Sequence, residues 1–75
     1  MPRLLGVVDE GAGAFVQLRD DDGDFVGEVR ADAGGRFTLY AVPGHWHLVC
    51  LMPGRRQEQE VDLGEDDLDV RVAVG

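Results

Sequence analysis

Apolar and polar residues alternate along most of this 75-residue chain, and glycines break the alternation at short intervals. A period of two places successive side chains on opposite faces of a strand, whereas a helix would repeat its apolar positions every three to four residues. The pattern therefore predicts an all-β fold with short strands joined by turns. The predicted strands are Arg3–Val8, Ala14–Arg19, Phe25–Ala31, Arg36–Val42, His45–Met52, Arg56–Leu63 and Leu68–Val74.

Most of the predicted strands carry their large apolar residues on one face. The residues predicted to point inward are Ala14, Val16, Leu18, Phe25, Gly27, Val29, Phe37, Leu39, Trp46, Leu48, Cys50, Met52, Leu68, Val70, Val72 and Val74. One sheet would leave most of these side chains in water, whereas two packed sheets bury them in a shared core. We therefore expect a seven-stranded antiparallel two-sheet sandwich, and a chain of this length has room for one such domain, residues 1–75.

The composition excludes several activities. There is no Lys or Ser and only one Thr, so serine hydrolysis, Schiff-base chemistry and phosphate binding by a P-loop lack their residues. With 15 acidic against 7 basic side chains and a net charge of −8, the chain lacks the basic surface that nucleic acid and anionic membranes require. We expect a protein that is not an enzyme, with no catalytic residue, no cofactor, and neither nucleic acid nor membrane as a partner.

Cys50 is the only cysteine, so no disulfide can form within the chain. Small secreted domains usually contain disulfides that compensate for a small core, and the sequence has no apolar run typical of a signal peptide or a membrane span. We therefore predict a cytoplasmic protein in which Cys50 is a small buried hydrophobic residue.

Three runs of sequence, Gly13–Asp20, Asp32–Leu39 and Val42–Leu48, follow the patterns Gly-Ala-x-Val-x-Leu, Asp-x-x-Gly-x-Phe-x-Leu and Pro-Gly-x-aromatic-x-Leu. With Gly6–Asp9 before them, they resemble the carboxypeptidase regulatory-like domain family, and small uncharacterised bacterial proteins in its superfamily. The resemblance implies a transthyretin-like (prealbumin-like), Ig-like Greek-key sandwich that serves as a binding and stability module without chemistry of its own. The chain departs from the family pattern at Glu10–Ala12, where a longer first loop is usual.

His45 and His47 are the sharpest candidate site. A spacing of two along a strand points both imidazoles to one face, which suits a shared metal ion. A third ligand would come from an Asp or Glu on the same face of a neighbouring strand, because Cys50 has the opposite parity. The alternative is that both histidines face solvent beside a core Trp46 and bind no metal.

The acidic run at Asp20, Asp22 and Asp24 resembles part of a calcium loop, since oxygen-rich turns suit hard cations. The run lacks the more distant bidentate Glu that such a loop requires. A solvated acidic turn is the favoured interpretation.

Phe15, Val26 and Tyr40 are predicted at outward positions, together with Val7. Exposed aromatic residues are typical of interfaces. If their strands are neighbours in one sheet, these residues would form an apolar patch suited to a protein partner or to self-association, for example as a homodimer. The alternative is that they are scattered singly or shielded by a loop.

The leading interpretation is a non-enzymatic interaction or accessory module that acts through an outer sheet face or an exposed strand edge. Such an edge has unpaired N–H and C=O groups that can accept a partner strand. The alternatives are a small metal- or ligand-binding protein that uses His45 and His47, and an accessory subunit of a larger enzyme or assembly. The sequence leaves all three open.

Overall fold

A computed structural model of the chain describes residues 1–73 and, within them, contains strands and no helix. The strands are β1 (Arg3–Val8), β2 (Phe15–Arg19), β3 (Phe25–Arg30), β4 (Arg36–Tyr40), β5 (Gly44–Met52), β6 (Arg55–Leu63) and β7 (Leu68–Val72). The prediction of seven strands is confirmed, with bounds that differ by at most two residues. The predicted end of the last strand, Val74, lies outside the described residues.

The strands form two sheets, which confirms an all-β fold. One sheet has three strands in the order β4-β1-β7, and the other has four in the order β3-β2-β5-β6. Within residues 1–73, no helix has the length and hydropathy needed to span a membrane. The inward side chains of both sheets meet in one core, whose buried members are Leu4, Val8, Val16, Leu18, Phe37, Leu39, Ala41, Leu48, Cys50, Val61, Leu63, Val70 and Val72.

The prediction of an antiparallel sandwich is wrong for one pair of strands. β1 and β7 run parallel, with Leu4 opposite Leu68 and Val8 opposite Val72. Alternation of apolar residues identifies the two faces of a strand but says nothing about its direction. These two strands come from opposite ends of the chain, so no short hairpin connection forces them to be antiparallel.

Close packing in the three-stranded sheet depends on Gly6. This residue lies directly opposite Phe37 in the β1–β4 pair, and the Phe37 ring occupies the space that a side chain at Gly6 would need. A Cβ atom built on Gly6 would overlap that ring. The glycine therefore allows a large aromatic ring to enter the core from the neighbouring strand.

Phe25 lies on the outer face, so its predicted inward orientation is wrong. The β2–β3 register shifts by one residue between Leu18 and Arg19, so that Leu18 faces Gly27 whereas Arg19 faces Phe25. Such a bulge reverses the parity of the residues beyond it. Phe25 is 56% exposed and its ring lies 5.9 Å from the guanidinium carbon of Arg19.

Candidate functional site

The β5–β6 hairpin brings both histidines opposite carboxylates. Its register pairs His45 with Asp62 and His47 with Glu60. Because Trp46, between the two histidines, packs against the core, its neighbours point to the outer face of the four-stranded sheet. Directly opposed residues on one face of an antiparallel pair have Cβ atoms about 5 Å apart, so their side chains interact.

The turn between β2 and β3 supplies a further carboxylate, that of Asp21. The Oδ1 atom of Asp20 accepts hydrogen bonds from the backbone N–H groups of Asp22 and Asp24, each at 3.0 Å. Gly23 adopts a positive φ of 84°, which closes the turn. β2 is the neighbour of β5, with Arg19 opposite His47, so the turn projects Asp21 over the histidine face.

Four ligand-type atoms converge at this point of the sheet. His45 Nε2 lies 2.9 Å from Glu60 Oε1 and 3.8 Å from Asp21 Oδ1. His47 Nε2 lies 3.4 Å from Asp21 Oδ1 and 4.0 Å from Glu60 Oε1. The two imidazole rings are edge to face, with centroids 5.2 Å apart. We call the four residues Asp21, His45, His47 and Glu60 the histidine cluster.

The remaining nitrogen of His45 is held by a fifth residue. His45 Nδ1 lies 2.6 Å from Asp62 Oδ1, a short charge-assisted hydrogen bond. The hydrogen bond to Asp62, followed by that to Glu60, raises the pKa of His45 to about 9 from its ordinary value of 6.5. The same contact with His45 lowers the pKa of Glu60. Without a metal, His45 is therefore an imidazolium at neutral pH, with both N–H groups donating to carboxylates.

A carboxylate on a neighbouring strand lies beside both histidines, as expected for these two positions. It is that of Glu60 on β6. This pairing could be found in the sequence, because a two-residue turn at Pro53–Gly54 fixes the register of the hairpin. Asp21 is not predicted from the sequence, because its place beside the histidines depends on the pairing of β2 with β5.

The acidic turn holds a second group of carboxylates that lie close together. Oxygens of Asp20, Asp22 and Asp24 lie within 4.8 Å of one another. However, Asp20 Oδ1 already accepts hydrogen bonds from two backbone N–H groups of its own turn.

Cys50 is fully buried, as predicted. This burial raises the pKa of its thiol to about 11, so the side chain remains a thiol at neutral pH.

The three residues expected at an interaction surface are exposed but do not form one patch. Phe15 on β2 and Val26 on β3 lie in the four-stranded sheet, whereas Tyr40 on β4 lies in the three-stranded sheet. The guanidinium carbon of Arg30 lies 5.4 Å from the centre of the Phe15 ring. The condition for a single patch, that the strands be neighbours in one sheet, holds only for Phe15 and Val26.

Comparison with known proteins identifies the family. The family described as "Protein of unknown function (DUF1416)" matches residues 4–74, and the chain belongs to it. The uncharacterized proteins Rv0814c and Rv3118 of Mycobacterium tuberculosis are each 38% identical to it over 63 residues, which is 80% of this chain and 63% of the relative. An uncharacterized protein of Mycolicibacterium smegmatis is 38% identical over 64 residues, or 81% of this chain and 71% of the relative.

The chain thus spans less than two thirds of the length of the two M. tuberculosis relatives. The family shown is DUF1416, and the resemblance to the carboxypeptidase regulatory-like family remains a prediction.

Proposed function

We propose that this member of the DUF1416 family is a metal-binding domain that holds one divalent transition-metal ion, of the zinc class, in the histidine cluster. The observation that carries the proposal is the convergence of two imidazole nitrogens and two carboxylate oxygens from β5, β6 and the β2–β3 turn. The residues of the cluster come from segments up to 39 positions apart in the sequence, such as Asp21 and Glu60. The fold, not local sequence, brings them together.

The nitrogen–oxygen separations in the histidine cluster are close to those around a tetrahedral ion. With metal–ligand bonds of about 2.0–2.1 Å, neighbouring ligand atoms of a tetrahedral zinc site lie about 3.4 Å apart. The four nitrogen–oxygen separations in the histidine cluster run from 2.9 to 4.0 Å and lie on both sides of that value. The ligand atoms of Asp21, His45 and His47 all lie within 4.8 Å of one another, and the exposed carboxylate of Glu60 would move inward to complete the tetrahedron. Two imidazoles and two carboxylates form a ligand set that suits zinc.

Asp62 supports this assignment from outside the cluster. Histidines that bind metals almost always donate their second ring N–H to a carboxylate or a carbonyl, which fixes the tautomer and the orientation of the ring. His45 does this through Nδ1 to Asp62, and leaves Nε2 directed at Asp21 and Glu60. A metal ion would replace the proton on Nε2 while the hydrogen bond to Asp62 is retained.

The exposure of the cluster determines what kind of metal site it would be. The two histidines are about one-third exposed, and Asp21 and Glu60 about two-thirds. An ion could therefore enter and leave without unfolding of the domain. This arrangement suits reversible binding at a surface more than a buried structural site.

The proposal is tested by titration of the purified protein with Zn²⁺ in a calorimeter. We expect one ion per chain, and we expect His47→Ala to weaken binding by more than about 100-fold, because a direct ligand matters more than the outer-shell residues whose loss costs about 10–100-fold. Asp21→Asn should also weaken binding. Asp22→Asn is the matched control, because it removes the same charge from the next residue of the turn and should leave the affinity unchanged.

A second probe, Co²⁺, reports the ligands directly. Tetrahedral Co²⁺ absorbs visible light much more strongly than the hexahydrated ion, so binding to the cluster would produce an intense blue colour that is absent in His47→Ala. No stoichiometric uptake of either ion, or equal binding by the wild type and His47→Ala, would overturn the proposal.

A second function is supported by an exposed aromatic residue at the other end of the same sheet. We also propose that the domain docks on a protein partner through Phe15, which is 45% exposed. Phe15 lies opposite Arg30 and Leu51, away from the histidine cluster. As part of this second proposal, the domain has no enzymatic activity of its own and acts in the cytoplasm. Its sandwich is related to that of the transthyretin-like proteins. Phe15→Asp should abolish capture of that partner while leaving zinc binding intact. If both variant and wild type capture the same proteins, Phe15 has no such role.

A further inference from the structure

The outer edge of β7 has unpaired main-chain groups. Among the described residues, β7 pairs only with β1. The carbonyl of Val72 accepts a hydrogen bond from the N–H of Asp9 at 3.0 Å, so the main-chain groups of Val72 face β1. Because these groups alternate in direction along a strand, those of Asp69 and Arg71 point away from β1. The edge thus offers the N–H and C=O groups of both residues to another strand.

The sequence of this strand is complementary to itself. It reads Leu68-Asp69-Val70-Arg71-Val72, so a second copy turned antiparallel about Val70 places Asp69 opposite Arg71 of that copy, twice. We propose that two copies of this chain associate by pairing β7 with β7 in this register, which joins the two three-stranded sheets into one of six strands. Opposite charges directly across an antiparallel pair stabilise it, and like charges destabilise it.

The direction of the main-chain groups fits the same register. Asp69 and Arg71 would form the pairs that exchange N–H···O bonds, and Val70 would meet Val70 of the copy at the closer position without hydrogen bonds. Asp69 and Arg71 are exposed, whereas Val70 is 8% exposed and belongs to the core. Charge, main-chain direction and side-chain parity therefore agree on one arrangement.

The other strands at the sheet edges lack this agreement. When β6 is paired with a copy of itself over its full length, Arg56 lies opposite Asp62 of the copy, but Glu58 lies opposite Glu60, so like charges oppose the favourable pairs. β4, paired in the same way, places Arg36 opposite Tyr40 and provides no opposite charge. β3 has six residues and pairs Arg30 with Phe25 of the copy. Among the edge strands within residues 1–73, β7 alone combines two opposite-charge pairs with no like-charge pair.

The interface is expected to be weak and dependent on protein concentration. It involves one five-residue strand from each copy, and the chains repel each other because each carries a net charge of −8. The Nε atom of Arg71 also lies 3.0 Å from Oδ1 of Asp9 in its own chain. A guanidinium group has five N–H donors, so Arg71 can keep its hydrogen bond to Asp9 and still donate to the carboxylate of Asp69 of the copy.

Sedimentation equilibrium of the whole chain in EDTA, at concentrations up to about 1 mM, tests the proposal apart from any association through metal ions. We expect the mass to approach that of two 8.2 kDa chains as the concentration rises. Asp69→Arg places two pairs of like charges at the interface and should raise the dimer Kd at least about tenfold. Asp66→Arg, the same change at an exposed residue outside β7, is the control and should have little effect.

Complementary variants make the test specific to this register. Arg71→Asp should also be monomeric, but a mixture of Asp69→Arg with Arg71→Asp places an arginine opposite an aspartate in both pairs and should form heterodimers. The double variant Asp69→Arg/Arg71→Asp should recover the homodimer. Circular dichroism confirms that each chain is folded. A wild type that stays monomeric, a dimer that Asp69→Arg does not weaken, or a mixture of the two single variants that stays monomeric overturns the proposal.

Discussion

The four-stranded and three-stranded sheets present different chemistry to solvent. In the four-stranded sheet, β5 and β6 have nine residues each and pair along their whole length, so their outward side chains are held as fixed pairs. In the three-stranded sheet, the strands have five or six residues, and β7 leaves one edge open. The long β5–β6 hairpin can therefore hold a cluster of side chains, whereas the short edge strand β7 has unpaired main-chain N–H and C=O groups that can bind another strand.

The largest expected effect concerns packing, which differs between the two sheets. A Cβ at Gly6 in β1 would overlap the Phe37 ring, whereas a Cβ at Gly27 in β3 has no other atom within 4 Å. We expect Gly6→Ala to lower the free energy of unfolding by about 2–3 kcal/mol, because overpacking forces the ring from its position. Urea denaturation measures this value. The matched Gly27→Ala should be near neutral, and equal stability of the two variants would contradict the packing described for Gly6.

An effect of intermediate size should separate zinc binding by the histidine cluster from dimer formation through β7. Asp62→Asn removes the carboxylate that orients His45, and we expect it to weaken Zn²⁺ binding by about tenfold or more without removing a ligand. Dimer formation through β7 should not change, since Asp62 lies in the other sheet. Calorimetry and sedimentation measure the two properties on the same sample. If Asp62→Asn lost dimer formation but kept its zinc affinity, the result would contradict the placement of zinc binding in the four-stranded sheet and of dimer formation in the three-stranded sheet.

The smallest expected effect is on the pH dependence of stability. The pKa of His45 is raised by Asp62 and Glu60, with Asp21 also nearby, so protonation of His45 stabilises the folded state. This stabilisation is complete below the ordinary pKa of 6.5 and is lost as the pH rises through about 9. In EDTA, the wild-type melting temperature should fall over this interval.

His45→Gln is the control for this prediction, because it keeps a polar side chain that does not titrate. Its melting temperature should change less over the same pH interval than that of the wild type. A parallel decline in both proteins would show that His45 is not stabilised by its carboxylates.

Much of the fold could be predicted from the period-two pattern. The faces of β2, β4 and β7 follow directly from alternation, since Val16, Leu39 and Val72 are buried as expected. Phe25 could not be placed, because the bulge opposite Leu18 and Arg19 is a property of the paired strands and leaves no clear mark on β3 alone. The parallel direction of β7 was also missed, for it depends on how the chain ends meet.

The candidate site was predictable in part. Alternation gave the common face of His45 and His47, and the turn at Pro53–Gly54 implied that Glu60 and Asp62 lie opposite them. Asp21 reaches the cluster only because β2 is hydrogen-bonded to β5, a pairing between strands that are distant in sequence. No local pattern of residues predicts that β2 and β5 are neighbours in the sheet.

The sequence by itself determined an acidic, all-β domain with one core, because alternation, the spacing of turns and charge are local properties of the chain. The tertiary structure alone decided which strands are neighbours. It brought Asp21 to the two histidines, placed Tyr40 in a different sheet from Phe15, and left β7 at an edge. These outcomes depend on pairing between strands that are far apart in sequence, and such pairing arises only when the whole chain folds.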